Sequence, residues 1–302
     1  MHFMHDARSV DLAELQKLAE ARQLTGFFRV TDEDYHGGPG VSASGVCDFL
    51  RSPAHYRAAK ARPKKSAAME LGTQAHEFLF QPERFHARYL VEPEGMDGPK
   101  TKNPWKAKWD EFKAKCEVEK KEPMDRERYR IVEGIARAVC DHPSGGQLLD
   151  VALFELAAYV QDPDTGFIRK AKADMALPWG IADLKTTDDA RLEAFIRTIR
   201  AFHFHVKAAW YLDVFNDVMG HKPEHALYFD SFIWIAAEKA APFGVACYAA
   251  SPTMIENGRK TYQKAVEIMQ TCIAKDVWPC YSGEIQAIEL PDFAYRSADI
   301  GN

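Results

Sequence analysis

Three extended runs separated by strong turn signals occupy the middle of the chain and commit it to a sheet. Residues Leu153 to Val160 alternate loosely, Gln161 to Gly166 (QDPDTG) is dense in turn formers, and Phe167 to Ala176 continues as a second run, so a hairpin is predicted. After the Leu177-Pro178-Trp179 break, a third short strand fits Gly180 to Leu184. Helices are expected over Arg191 to Ala201 and His205 to Val218, strands over Ala226 to Ala236 and Pro242 to Ala250, and a long helix over Thr253 to Ala274. Strands flanked by helices predict an α/β or α+β fold with one central mixed sheet.

The N-terminal part reads as helical. Leu12, Leu15 and Leu18 mark a leader helix within residues 1–30, and Thr31 to Gly40 (TDEDYHGGPG) reads as an ordered loop. Ser42 is an N-cap candidate for a helix through Phe49 and Leu50, and Ser52-Pro53 can start the next. A further helix fits Ala67 to Phe80, with Met69, Leu71, Ala75, Phe78 and Leu79 on one apolar side. Residues 92–122 shift to Lys, Glu, Pro and Gly around Trp105 and Trp109, a charged surface excursion that is either a solvated face or a DNA-contacting arm. The division expected is a leader, 1–30, and one main domain, 31–302.

Composition removes several classes. With 46% hydrophobic and 27% charged residues among 302, the chain has the balance of a soluble globular protein. No run approaches the roughly 20 apolar residues that cross a bilayer, and Asp6, Arg8, Asp11 and Glu14 stand where a signal peptide would be apolar, so a cytoplasmic location is expected. The six cysteines form no CxxC pair, which argues against a zinc ribbon or a disulfide framework. A net charge of −5 is not that of a nonspecific nucleic-acid coat, but it suits clustered carboxylates with local basic stretches at Arg57 to Lys65 and Lys100 to Lys115.

The chemistry concentrates in the second and third strands. Asp174 lies on one and Asp183 on the next, with Lys185 two residues beyond. Residues two apart in a strand share a face, so Asp183 and Lys185 project together. Two carboxylates can hold a hard divalent cation, while a nearby ammonium orients or deprotonates a water. An isolated acid-x-lysine pattern is usually an ion pair worth about 0.5 kcal/mol, so the neighbours decide. Glu155, between Phe154 and Leu156, can face the same point from the first strand, and His76 lies on the Ala67 to Phe80 helix, where Gly72 one turn earlier would admit a close neighbour.

These motifs, in this order, resemble the nuclease domain of the RecE-type exonucleases (exonuclease VIII), a phage and prophage branch of the PD-(D/E)XK superfamily. The resemblance spans about Thr31 to Phe293. It is carried by Tyr35 to Ser44 (YHGGPGVSAS), Ser52 to Tyr56 (SPAHY), Gly72 to His76 (GTQAH), Pro82 to Phe85 (PERF), Glu155, Thr165-Gly166, Asp174, Asp183-Leu-Lys185-Thr-Thr, Trp278 to Tyr281 (WPCY) and Leu290-Pro291. It implies that His76, Asp174 and Asp183 ligate Mg²⁺ (or Mn²⁺), that Lys185 activates water, and that Glu155 supports the metal or its water. The family's helix after the core reads HVQxxxY. Here Lys207 stands at the glutamine and Tyr211 at the tyrosine. By the same analogy the reaction is 5′ to 3′ hydrolysis of linear double-stranded DNA from its ends. The 3′ single-stranded tails would pass to a RecT-type annealing protein, and the enzyme would be a homo-oligomeric ring, a trimer or tetramer.

Other readings compete. A RecB-like nuclease, or a relative with a cysteine-held iron–sulfur centre, lacks support because Cys280 has only Cys272 nearby in sequence. A zinc site from His203, His205, His221 and Cys280 competes with ordinary histidines around a helix. A silent DNA-end-binding protein of the same fold should have lost Asp174, Asp183 or Lys185, and all three stand. The aromatic groups Phe202 to Phe204, Tyr228-Phe229 and Phe232 to Trp234 read mostly as core, and Trp105 and Trp109 as better base-stacking candidates.

Overall fold

The computed structural model describes residues 2–61, 67–96, 98–220 and 229–290. The chain opens with a short helix His2–His5 (α1), strand Arg8–Ser9 (β1), helix Leu12–Glu20 (α2) and strand Gly26–Arg29 (β2). Where composition suggested a loop, the structure places a helix, Asp32–Gly37 (α3). Thr31 caps it by accepting the Asp34 amide, and Asp32, Glu33 and Asp34 set three acids against the positive end of the helix dipole. Strand Val41–Ser42 (β3) leads into Ala43–Arg51 (α4), capped by Ser42 as expected, and Pro53–Ala61 (α5), Ala67–Phe80 (α6) and Pro82–Arg88 (α7) follow.

The charged excursion is built rather than loose. Tyr89–Val91 (β4) and Glu122–Met124 (β5) pair in parallel and bracket a helix, Trp105–Glu119 (α8). Helices Arg126–Asp141 (α9) and Pro143–Val151 (α10) then precede the hairpin Leu153–Gln161 (β6) and Ile168–Ala176 (β7). Gly180–Thr187 (β8), Leu192–Ala201 (α11), Phe204–Val218 (α12), Ser231–Glu238 (β9), Val245–Ala249 (β10) and Pro252–Lys275 (α13) complete the order. The strand expected from Ala226 starts outside the described residues; its described part, β9, runs on to Glu238.

One mixed sheet runs β1-β2-β6-β7-β8-β9-β10, with β3 also on β7. The leader is therefore more than a helix: β1 pairs with β2, and β2 pairs antiparallel with β6, so residues 1–30 carry one edge of the main sheet. Strand β7 shares one edge between two partners. β3 takes Arg169 and Lys170, β8 takes Met175 and Ala176, and the ladder between them is open.

The cores are divided in the same way. Under α4, α12 and α13, one face of the sheet buries Trp210, Phe215 and Trp234; under α6, α9 and α10, another buries Ala75, Ile135, Val139 and Leu184; Leu15 of α2, Leu24 of the turn after it and Tyr35 of α3 cover Tyr159. Fully buried side chains such as Leu156, Met175 and Phe215 each contribute about 1.5–3 kcal/mol. Among the described residues no helix is long and apolar enough to cross a membrane.

Candidate metal centre

The acids sit where the alternation of the strands is broken. In β6, Phe154 packs with the α6 and α9 core whereas Leu156, two residues on, lies in the core under α12; in β7, Ala173 and Met175 divide in the same way. Residues two apart should share a face. In β6 the reversal has a backbone cause at Glu155, whose φ of 55° is the left-handed conformation that residues other than glycine rarely adopt. The Phe154 carbonyl at this point accepts from Arg29 Nη1 at 2.5 Å.

Register then lines the acids up. The pairs Phe154↔Met175 and Leu156↔Ala173 put Glu155 opposite Asp174, and Met175↔Ala182 carries the row on to Asp183. Three neighbouring strands thus present three carboxylates beside the open edge of β7. His76 reaches the same place from α6, with Nδ1 3.3 Å from Asp174 Oδ2 and Nε2 2.9 Å from the Leu184 carbonyl. The Leu184 amide donates to Asp174 Oδ2 at 2.9 Å, so one peptide of β8 orients both side chains. With Nε2–H donating to Leu184, Nδ1 is the nitrogen left for a cation, the outer-shell arrangement that fixes a ligand tautomer.

Among the described residues His76, Glu155 and Asp174 offer ligand atoms that all lie within 4.8 Å of one another. This donor set, one imidazole and two carboxylates, fits a divalent cation. Asp183, expected beside His76 and Asp174, is held differently: its Oδ2 contacts the Lys185 ammonium, confirming that the two share a face. Asp174, Asp183 and Lys185 nevertheless line one cavity of about 140 Å³, together with Ser44, Phe204, Lys207, Tyr211, Phe232 and Trp234. All seven residues singled out in the sequence are thereby brought to one region, with Glu155 among the candidate ligands and Asp183 paired to the lysine.

The electrostatics follow from burial and neighbours. Burial pushes the Asp183 carboxyl up, only partly opposed by Lys185, and it pushes Glu155 up against the pull of Lys172. For Asp174 burial is outweighed by His76, Lys185 and the Leu184 amide, which hold it below the usual carboxylate range. Burial would lower Lys185, but Asp183 and Asp174 keep it a charged ammonium, a donor able to orient a water or a phosphate oxygen. Burial likewise opposes protonation of His76, yet Asp174 raises it to about 9. A cation taking Nδ1 must displace that proton. Calorimetric Mn²⁺ affinity of the metal-free protein is therefore expected to rise with pH up to about 9 and to level off above it.

Two supporting residues escaped the sequence reading. Lys172, 8% exposed, places Nζ 2.7 Å from Glu155 Oε2 and 2.5 Å from Asp32 Oδ1 of α3. Asp32 also meets Arg84 at 3.3 Å, and Arg84 meets Glu77 at 3.1 Å, so the chain of charges returns to the residue after His76. The available signal was Lys172 two residues before Asp174 on one strand, and the Thr31-x-x-Asp34 cap that makes α3 a helix.

Other expectations meet mixed outcomes. Lys207 and Tyr211 both line the cavity; burial lowers the Lys207 ammonium and raises the Tyr211 phenol. A Cβ on Gly72 would meet Thr186 Oγ1 at 3.5 Å, an ordinary contact, so the close approach does not need glycine. Gly72→Ala is expected to stabilise the protein by about 0.4–1 kcal/mol in urea unfolding. Trp105 and Trp109 are covered by Lys108 and Lys100, whose Nζ atoms lie 4.7 and 4.1 Å from the ring centroids. The His203 and His205 rings are 6.2 Å apart, Cys280 lies instead by Ser52, and His221 is outside the described residues. The Ser52 to Tyr56 and Trp278 to Tyr281 motifs, far apart in sequence, meet: Tyr56 stacks on Trp278 with centroids 6.0 Å apart. Of the basic stretch at 57–65, Arg57 is paired with Asp276, and residues 62–65 lie outside the described ones.

Comparison with known proteins decides the family. The chain matches the PDDEXK-like domain of unknown function over residues 42–291. It belongs to that family. A crystal structure described as that of a "putative exonuclease" from Eubacterium rectale superposes with a TM-score of 0.55 and 13% identity, over 86% of this chain and 94% of that one. No curated protein matches the chain. The family and the shared fold support a nuclease.

Proposed function

We propose that the chain is a metal-dependent exodeoxyribonuclease acting on the ends of linear double-stranded DNA. The observation that carries this reading is the convergence of Glu155, Asp174 and Asp183 from adjacent strands with His76 from α6 and Lys185 beside them. His76, Glu155 and Asp174 would hold the cation, with Asp183 at its edge. Carboxylates suit Mg²⁺, and the single imidazole makes Mn²⁺ at least as good a fit. The bound cation would supply charge neutralisation at a phosphoryl oxygen. The chain's own residues do the rest: Lys185 donates to a water or phosphate oxygen, Asp183 fixes that ammonium, and Tyr211, a neutral phenol, offers a further hydrogen bond.

The finer reading extends the resemblance: 5′ to 3′ polarity, 3′ single-stranded tails used in recombination, a RecT-type annealing partner, a ring-shaped homo-oligomer, and a cytoplasmic site of action. It is tested by incubating duplexes labelled at either the 5′ or the 3′ end with Mg²⁺. Early release of the 5′ label supports it, and early release of the 3′ label contradicts the polarity. Binding of ends without shortening would instead fit a silent DNA-end-binding protein. Lys207, charged where the family's glutamine stands, lies 5.3 Å from the Phe204 ring centroid, on the cavity wall. Lys207→Gln is expected to leave metal-dependent degradation intact or raise it, and a total loss in the same assay would contradict an auxiliary role.

A further inference from the structure

The turn between α11 and α12 exposes an aromatic ring stacked on one that lines the cavity. Phe202 is 60% exposed, whereas Phe204, two residues on, is 8% exposed and lines the cavity. The two rings are stacked, with centroids 5.7 Å apart and planes 23° from parallel. Between them His203 adopts the left-handed conformation, φ 53°, which turns the chain so that one ring faces the cavity and the other solvent. The inner ring is itself flanked by cations, for Lys185 and Lys207 each lie 5.3 Å from the Phe204 centroid. Phe204 thus touches both the exposed ring and the lysines of the site.

Exposing most of a phenylalanine forgoes stabilisation that burial would supply. Phe202 has a stacked ring on its inner side and solvent beyond, beside a cavity whose wall carries Lys185 and Lys207. A nucleotide matches that pair of features, because each base carries a flat π-face and each phosphate a negative charge. We propose that Phe202 is a base-stacking platform: a nucleobase among those nearest the scissile phosphate stacks on it while the phosphate approaches Lys185 and Lys207. This rests on the nuclease reading and assigns the contact that positions the end of the strand.

The test uses linear duplexes, intact or carrying an abasic site at one of the three terminal positions of the degraded strand. Native protein, Phe202→Ala and Phe202→Trp are compared with Mg²⁺ under steady-state conditions. The native protein is expected to lose roughly 5- to 150-fold in kcat/KM at one abasic position, mostly through KM. Phe202→Ala should show the same loss on intact DNA with no further loss on the abasic duplex, and Phe202→Trp should restore both the rate and the abasic penalty. An unchanged melting temperature identifies the alanine variant as folded. Native rates on intact DNA for Phe202→Ala, or an abasic penalty that persists in it, would overturn the platform. A change in particle mass with that penalty retained would mark Phe202 as a contact between copies of the chain, and overturns it too. If the native protein leaves intact duplex uncut, the nuclease reading falls and takes this proposal with it; cutting that ignores abasic sites removes the platform alone.

Discussion

Asp174→Asn is expected to abolish divalent-cation binding and DNA degradation together, lowering the rate by roughly 1,000-fold or more. Asp174 is the one carboxylate common to both halves of the site: it contacts His76 Nδ1, accepts from the Leu184 amide, and lines the cavity with Asp183 and Lys185. Removing its charge withdraws a ligand and also the partner that keeps His76 oriented. Several kcal/mol of charge stabilisation lost at the reacting phosphate correspond to about three powers of ten. Titration calorimetry with Mn²⁺ and an end-labelled duplex assay check the two effects. Retained cation binding with lost degradation would show that the ion is held by other residues.

Lys172→Met is expected to destabilise the fold by about 3 kcal/mol, read as a lower urea midpoint. The lysine is buried, and its removal leaves Glu155 without its cation in a poorly solvated place. Asp32 is half-exposed, so its share of the loss is screened, which places the effect at the low end of buried ion pairs. Mg²⁺ or Mn²⁺ should stabilise the variant more than the native protein, because a cation at His76, Glu155 and Asp174 neutralises the acid that Lys172 served. A variant as stable as the native protein without metal would mean that Glu155 is solvated or protonated there.

Much of this was legible in the sequence. The hairpin, the third strand and the long helices follow from period and turn residues, and the shared face of Asp183 and Lys185 follows from strand geometry alone. What strand geometry could not give was the reversal at Glu155: its left-handed backbone is imposed by tertiary structure, and no local residue type announces it. Likewise Arg8–Ser9 and Val41–Ser42 are too short for any pattern, yet they complete the sheet's edge and the open edge of β7. In Thr31 to Gly40 the glycines and proline signal a loop and mask a cap and three N-terminal acids that make a helix. The ion chain from Glu155 through Lys172, Asp32 and Arg84 to Glu77 joins residues up to 140 positions apart, which only the folded chain reveals. At Phe202 the aromatic pattern, which reads mostly as core, gives no sign that this ring is exposed.

An end-labelled linear duplex distinguishes a metal-dependent nuclease centre at the acidic row and Lys185 from an inert one. The native chain and Asp183→Ala are compared with Mg²⁺ and with chelator. Progressive shortening by the native protein, only with Mg²⁺ and absent in Asp183→Ala, is the predicted result. Degradation that survives in Asp183→Ala, or that proceeds equally in chelator, would contradict the assignment.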